Sequence, residues 1–244
     1  MSHRAIKSDM RNLIILFFIL TSPIVLLSQQ KINEITMYFP FSFFPKVNYV
    51  YTNTDSSSIL VSTYYEISKE KSDTIKAYAK KIPNQYDTSV VERYSKYLTA
   101  LQEPVVYSDT SNYEIYRFTW LRTFKNPIAV RITKKVNEFR IYWKVSDGAG
   151  GFEPGKLIID KNKKISKGEW DKFQTLLIKM NYWNLDNIPD EPFIDGSHWI
   201  LEGRTQNQYS VVDKRSPNQE SYYWKCCYFL IELTNLKNIK GDIK

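Results

Sequence analysis

Between Tyr113 and Val145 apolar and polar residues alternate with a period of two, three times in succession. The stretches Tyr113 to Leu121, Pro127 to Thr133 and Phe139 to Val145 are separated only by short polar turns, which predicts an antiparallel meander. Successive side chains of a strand point to opposite faces. Tyr116, Phe118 and Trp120, then Ile128, Val130 and Ile132, then Phe139, Ile141 and Trp143 therefore form an apolar face. One register places Arg117, Arg131, Arg140 and Lys144 together on the other face, directed outward, with Tyr142 among them. Guanidinium groups beside an aromatic ring suit a carboxylated or phosphorylated ligand, so these five residues are the candidate ligand-binding set.

The flanking segments supply the remaining elements. Ile35 to Tyr51, broken by Pro40 and Pro45, reads as irregular chain leading into a strand, and Ile59 to Ile67 alternates as a second strand. Lys71 to Lys81 reads as a short helix that stops before Pro83. Ser89 and Glu92 have the spacing of a capping box, which predicts a helix to Leu101 with Val90, Tyr94, Leu98 and Leu101 on one stripe. Lys156 to Asp160 is a further strand. Ser166 and Glu169 make a second capping box, and Trp170, Phe173, Leu177 and Met180 form the stripe behind it. His198 to Arg204 and Gln208 to Asp213 read as a hairpin. A last helix opens with Ser216, Pro217 and Gln219 and runs to about Leu236. Strands in a run, followed by helices, predict an α+β fold: an antiparallel sheet of meander and hairpin packed by central and C-terminal helices.

At the N-terminus Arg4, Lys7 and Arg11 precede an apolar run from Leu13 to Leu27, which ends in Ser28-Gln29-Gln30-Lys31. That is the pattern of an export signal. The run is shorter than the roughly 20 residues a spanning helix needs, and Thr21, Ser22 and Pro23 interrupt it. Leu26 is bulky for a site cleaved after Ser28, which keeps an uncleaved, inward-positive anchor as the alternative for residues 1–28. No cysteine follows the run, which excludes a lipid-modified one. The remaining residues, 29–244, read as one α+β domain, with an N-terminal lobe over 29–110 and a core over 111–240 as its internal division. Such a chain expects a periplasmic or envelope location, secreted or tethered.

The formal charge is +8, of which the N-terminal segment holds a small part. The excess favours anionic partners. The only cysteines, Cys226 and Cys227, are adjacent, too close for ordinary disulfide geometry, so no disulfide framework exists. Four of the eight glycines fall in Asp147 to Gly155. The loop feeds a strand rather than a helix and lacks a Gly-Lys-Ser/Thr step, which argues against a nucleotide cofactor. It reads as a broad turn using positive φ angles. Asp195-Gly196-Ser197-His198-Trp199 holds the one histidine beyond the N-terminal segment. As strand neighbours on one face, His198 and Glu202 lie about 13 Å apart, too far to pair. Nothing resembles the Gly-x-Ser-x-Gly nucleophile elbow, and a Cys226 or Cys227 nucleophile needs the fold to carry it to His198. One histidine and two adjacent cysteines do not furnish a usual zinc set. The expectation is no metal and no cofactor.

The strings Tyr142-Trp143-Lys144, Asp147-Gly148-Ala149-Gly150-Gly151-Phe152-Glu153-Pro154-Gly155-Lys156-Leu157, Asp195-Gly196-Ser197-His198-Trp199-Ile200-Leu201-Glu202-Gly203, and Tyr209 to Asp213 with Ser216-Pro217 resemble a family of exported bacterial proteins without an assigned activity. The resemblance spans roughly residues 112–236 and implies export and a single α+β domain. It transfers no catalytic residue. Three readings follow from the sequence. The first is a non-catalytic envelope or periplasmic module that binds an anionic ligand or a protein partner. The second is a cofactor-free hydrolase with His198, Asp195, Glu202, Asp147 and Glu153 as candidate acids, bases or substrate-holding groups. The third is a structural envelope component held by an uncleaved N-terminus, its only route to a membrane.

Overall fold

A computed structural model of the chain describes residues 36–52, 58–62, 80–187 and 196–236. The described residues from Met37 onward belong to one compact unit. Its centre is a six-stranded antiparallel sheet built from β4 (Glu114–Arg122), β5 (Ile128–Lys135), β6 (Glu138–Ser146), β7 (Leu157–Lys164), β8 (Ser197–Arg204) and β9 (Tyr209–Arg215). The spatial order is β7-β6-β5-β4-β8-β9. The predicted meander and hairpin are both present, and the α+β class with it. A second sheet of three antiparallel strands, ordered β2-β1-β3, comprises β1 (Pro45–Thr52), β2 (Ser58–Ser62) and β3 (Lys80–Tyr86). The signal segment and most of the helix expected over Lys71 to Lys81 lie outside the described residues. Lys80 and Lys81 belong to β3, which runs through Pro83. Proline is tolerated there because β3 is an edge strand.

Alternation along the strands divides the large sheet into two buried faces. Phe118, Trp120, Val130, Ile132, Ile141, Trp143, Trp199 and Leu201 pack against helices α2 (Lys167–Lys179) and α3 (Tyr222–Thr234). On the opposite face Leu121, Ile200 and Val211 meet helix α1 (Thr88–Ala100) through Val91, Tyr94, Tyr97 and Leu98, together with Phe39 and Phe44. No helix among the described residues is long and apolar enough to cross a membrane.

Helix starts obey local chemistry, with two corrections. Helix α1 is capped by Asp87, whose carboxylate accepts from the Val90 amide at 3.3 Å, and the Ser89 hydroxyl donates to that same carboxylate. The expected Ser89/Glu92 box is thus displaced by a cap two residues earlier. Helix α3 begins at Tyr222 under the Ser221 cap, not at Ser216. Ser216 has φ +40° and its amide donates to the Ser197 carbonyl, so it turns the chain away from β9 instead. The α2 box forms as read: the Glu169 amide donates to Ser166 Oγ at 3.2 Å, and the Ser166 amide donates to the Glu169 carboxylate at 2.7 Å.

The Ser166 amide holds the Glu169 carboxyl below its ordinary range. A depressed carboxyl stabilises the fold above its unfolded value and loses that contribution as pH falls. Glu169→Gln should therefore cost about 0.5 kcal/mol at neutral pH, with parent and variant converging as the pH falls through the lowered carboxyl range, as read by urea denaturation. A constant difference across that range would exclude the capping carboxylate as its source.

Candidate functional site

The expected cationic row exists in the predicted register. Across the sheet Tyr142, Arg131, Arg117 and Glu202 are consecutive cross-strand partners, and Lys144 and Arg140 occupy the same face. Its outward direction is the error. Arg117 is completely buried, Lys144 is buried and Arg131 is largely so, because α1 and the segment after it lie over them. Only Arg140 and Tyr142 stay half-exposed.

The cover is built by the end of α1. Gln102 takes φ +51°, and the Glu103 amide donates back to the Leu98 carbonyl at 3.0 Å, a Schellman-type stop. This turn swings Glu103 into the sheet. Its carboxylate accepts from Arg131 Nε at 2.9 Å and lies 3.7 Å from both Arg117 and Lys144. Lys144 Nζ donates to the Gln102 carbonyl and Arg117 to the Pro104 carbonyl, each at 2.6 Å. On its other side Arg117 donates to Glu202, which also accepts from the Tyr209 hydroxyl at 2.7 Å. Burial pushes the Glu202 carboxyl up, against the pull of Arg117 and Tyr209. Glu202 is thus a structural counterion, not an exposed acid beside His198.

His198 has a different carboxylate. Its Nδ1 lies 3.0 and 3.2 Å from the two Asp213 oxygens and 2.7 Å from the Tyr94 hydroxyl, which donates to Asp213 at 2.5 Å. Burial, then Asp213, raises the Tyr94 pKa well above its usual value, so the phenol keeps its proton. With that proton directed at Asp213, Nδ1 is satisfied only as a donor, which leaves Nε2 of the neutral ring as the acceptor. No hydrogen bond among the described residues reaches Nε2. Asp213 was missed because the hairpin was read without its register. Counting back from the Thr205–Gln208 turn pairs Ile200 with Asp213 and puts the carboxylate diagonal to His198.

The nucleophiles considered for His198 are elsewhere. Ser197 points to the opposite face, where its hydroxyl accepts from Trp199 Nε1 at 2.7 Å. Cys226 and Cys227 are fully buried among the α2–α3 core residues, across the sheet from His198, and burial raises both thiols. Asp195 lies outside the described residues. The Asp147 carboxylate accepts from the Lys156 amide at 2.6 Å and closes the glycine loop. Glu153 is exposed on that loop. Among the described residues no cluster of histidine, cysteine and carboxylate has the makeup of a metal site.

The glycine loop and the His198 strand do converge. Gly150 donates to the carbonyls of Arg122 and Lys125, and Gly151 to that of Thr123. Thr123 in turn donates to the Gly196 carbonyl through its amide and hydroxyl. A β carbon on Gly150 would meet Arg122 N at 2.4 Å, which explains the glycine. The β4–β5 turn thus joins the glycine loop to the start of β8 at one end of the sheet. No protein-family model matches the chain, and no curated protein matches it.

Removing one partner of a buried pair leaves an uncompensated charge. Arg117→Met should cost about 3–5 kcal/mol in urea denaturation, and Arg117→Met/Glu202→Leu should regain part of that loss. Equal losses in the single and double variants would show that charge compensation is not what holds this face.

Proposed function

We propose that the chain is an exported bacterial envelope or periplasmic protein that binds an anionic ligand without transforming it. The observation that supports this is the β7 edge of the sheet. Lys161 and Lys164 are exposed on β7, Lys163 is half-buried, Lys156 immediately precedes the strand, and Arg140 is the cross-strand partner of Lys164. The carboxylates beside them are Glu138, shared by Arg140 and Lys164, Asp160, 3.8 Å from Lys144, and Glu169, which feels the charge of Lys163. Lys156 and Lys161 form no ion pair among the described residues. Arg117, Arg131 and Lys144 at the centre of the sheet are each paired with Glu103 or Glu202, whereas the cations at its edge outnumber the carboxylates beside them. Such a strip attracts anions over a screening length of about 8–10 Å. Tyr142, stacked 4.3 Å beneath the Arg131 guanidinium, adds a flat aromatic surface beside it.

Titration of the protein with heparin and with polyphosphate tests the reading. Binding should weaken steadily as salt rises, and Lys161→Glu/Lys163→Glu/Lys164→Glu should lower affinity by about tenfold or more. Absence of salt-dependent binding in the parent removes the proposal.

A hydrolase reading survives in narrower form on the His198–Asp213 geometry. Asp213 orients the ring and leaves Nε2 to take a proton from water, without a protein nucleophile. Assay of ester and glycoside panels should then show activity that His198→Ala abolishes and that Asp213→Asn lowers. Turnover that persists in His198→Ala would dismiss this dyad.

A further inference from the structure

Phe124 and Phe152 are 67% and 64% exposed, yet their rings pair with centroids 5.6 Å apart. They come from two loops, the β4–β5 turn and the glycine loop between β6 and β7. The bonds from Gly150 and Gly151 to residues 122–125 knit these loops together through backbone alone, and the Phe152 amide donates to the Ala149 carbonyl at 2.9 Å. Neither ring contributes to that scaffold. Ile158, near the start of β7 after the same loop, is 54% exposed. The fold thus holds the two phenylalanine rings out as neighbours at one end of the sheet, which marks a contact surface.

The chemistry beside the pair indicates what covers it. Lys125 adjoins Phe124 in sequence and Lys156 follows the loop, whereas Lys161, Lys163 and Lys164 lie further along β7, toward its pairing with Arg140. Of the loop's two acids, Asp147 is held by the Lys156 amide and Glu153 faces solvent. A specific protein interface buries about 1,200–2,000 Å², far more than two side chains supply. A lipid surface asks for little more than an apolar wedge flanked by cations, which meet anionic headgroups while the wedge enters the acyl boundary.

We propose that the Phe124–Phe152 tip inserts into the headgroup layer of an anionic lipid surface, with the adjoining lysines against the phosphates. The choice of an anionic surface rests on the function proposed above, whereas the apolar insertion does not. The test uses the full chain with vesicles of phosphatidylglycerol in phosphatidylcholine. Phe124→Cys carries an environment-sensitive label, for which the buried Cys226 and Cys227 do not compete. Val136→Cys, at an 80% exposed position in the β5–β6 turn at the far end of β5, is the control. This local readout separates insertion of the tip from any tethering by the N-terminal segment.

Lipids spin-labelled high in the acyl chain should quench the label at 124 and spare the one at 136. Adding Phe152→Ser should raise the lipid concentration for half-quenching by about tenfold. No quenching at 124 overturns the proposal and leaves a protein as the cover of the pair. Equal quenching at both sites overturns it in favour of non-specific adsorption. Quenching at 124 that is as strong on phosphatidylcholine alone, together with lost polyanion binding, supports insertion and removes the anionic reading separately.

Discussion

Burying Arg117 in the middle of a sheet is the constraint around which this structure is arranged. An isolated guanidinium cannot be taken from water without partners, since the desolvation cost exceeds any packing gain. The sheet supplies Glu202 directly across from it on β8. Glu103 approaches from above, delivered by the left-handed turn that ends α1. Glu103 also serves Arg131 and Lys144, so one carboxylate off the sheet meets cations from three strands. The position of α1 follows from this geometry as much as from its apolar stripe.

The rest of that face is consistent with such a clamp. Tyr38 donates to the Glu103 carbonyl at 2.8 Å, and its ring lies 5.6 Å from the Arg117 guanidinium. Further back along α1, Tyr94 reaches Asp213 and His198, and Tyr97 donates to the Ala149 carbonyl at 3.1 Å. One helix thereby ties together the ion cluster, the hairpin and the glycine loop. On the opposite face the hydroxyls of Tyr182 and Tyr223 donate to carbonyls of β8 and β9, so those aromatic side chains satisfy polar groups while filling the core. With both faces covered, solvent and ligands meet the sheet mainly at its β7 edge and at its loops.

Local periodicity made the sheet legible. Turns between consecutive strands are short, and a period of two has only two settings, one of which buries the aromatic set; hence the common face of Arg117, Arg131, Arg140 and Lys144 was readable in advance. Whether that face met water was not readable, because its cover comes from residues 37–44 and 87–107, which lie outside the meander and carry no local mark of their destination. Glu103 gave no signal at all. Asp213 did give one through hairpin register. The helix starts at Asp87 and Ser221 were displaced from the expected Ser89 and Ser216 because several capping residues compete within a few positions, and the geometry of the preceding strand decides among them.

The same separation of faces limits what His198 can do. Ser197, Cys226 and Cys227 lie across the sheet from it, which among the described residues leaves water as the attacking group for a base at Nε2. Its other nitrogen is engaged by Asp213 and Tyr94, in contacts that also fasten α1 to β8 and β9. A ring committed to holding a helix in place has little freedom to move toward a substrate, since any shift would break the contacts that position it. Binding at the periphery carries no such conflict. The β7 lysines and the Phe124–Phe152 tip stand outside both cores and outside the ion cluster, free to meet a partner without disturbing the interactions that hold the sheet covered.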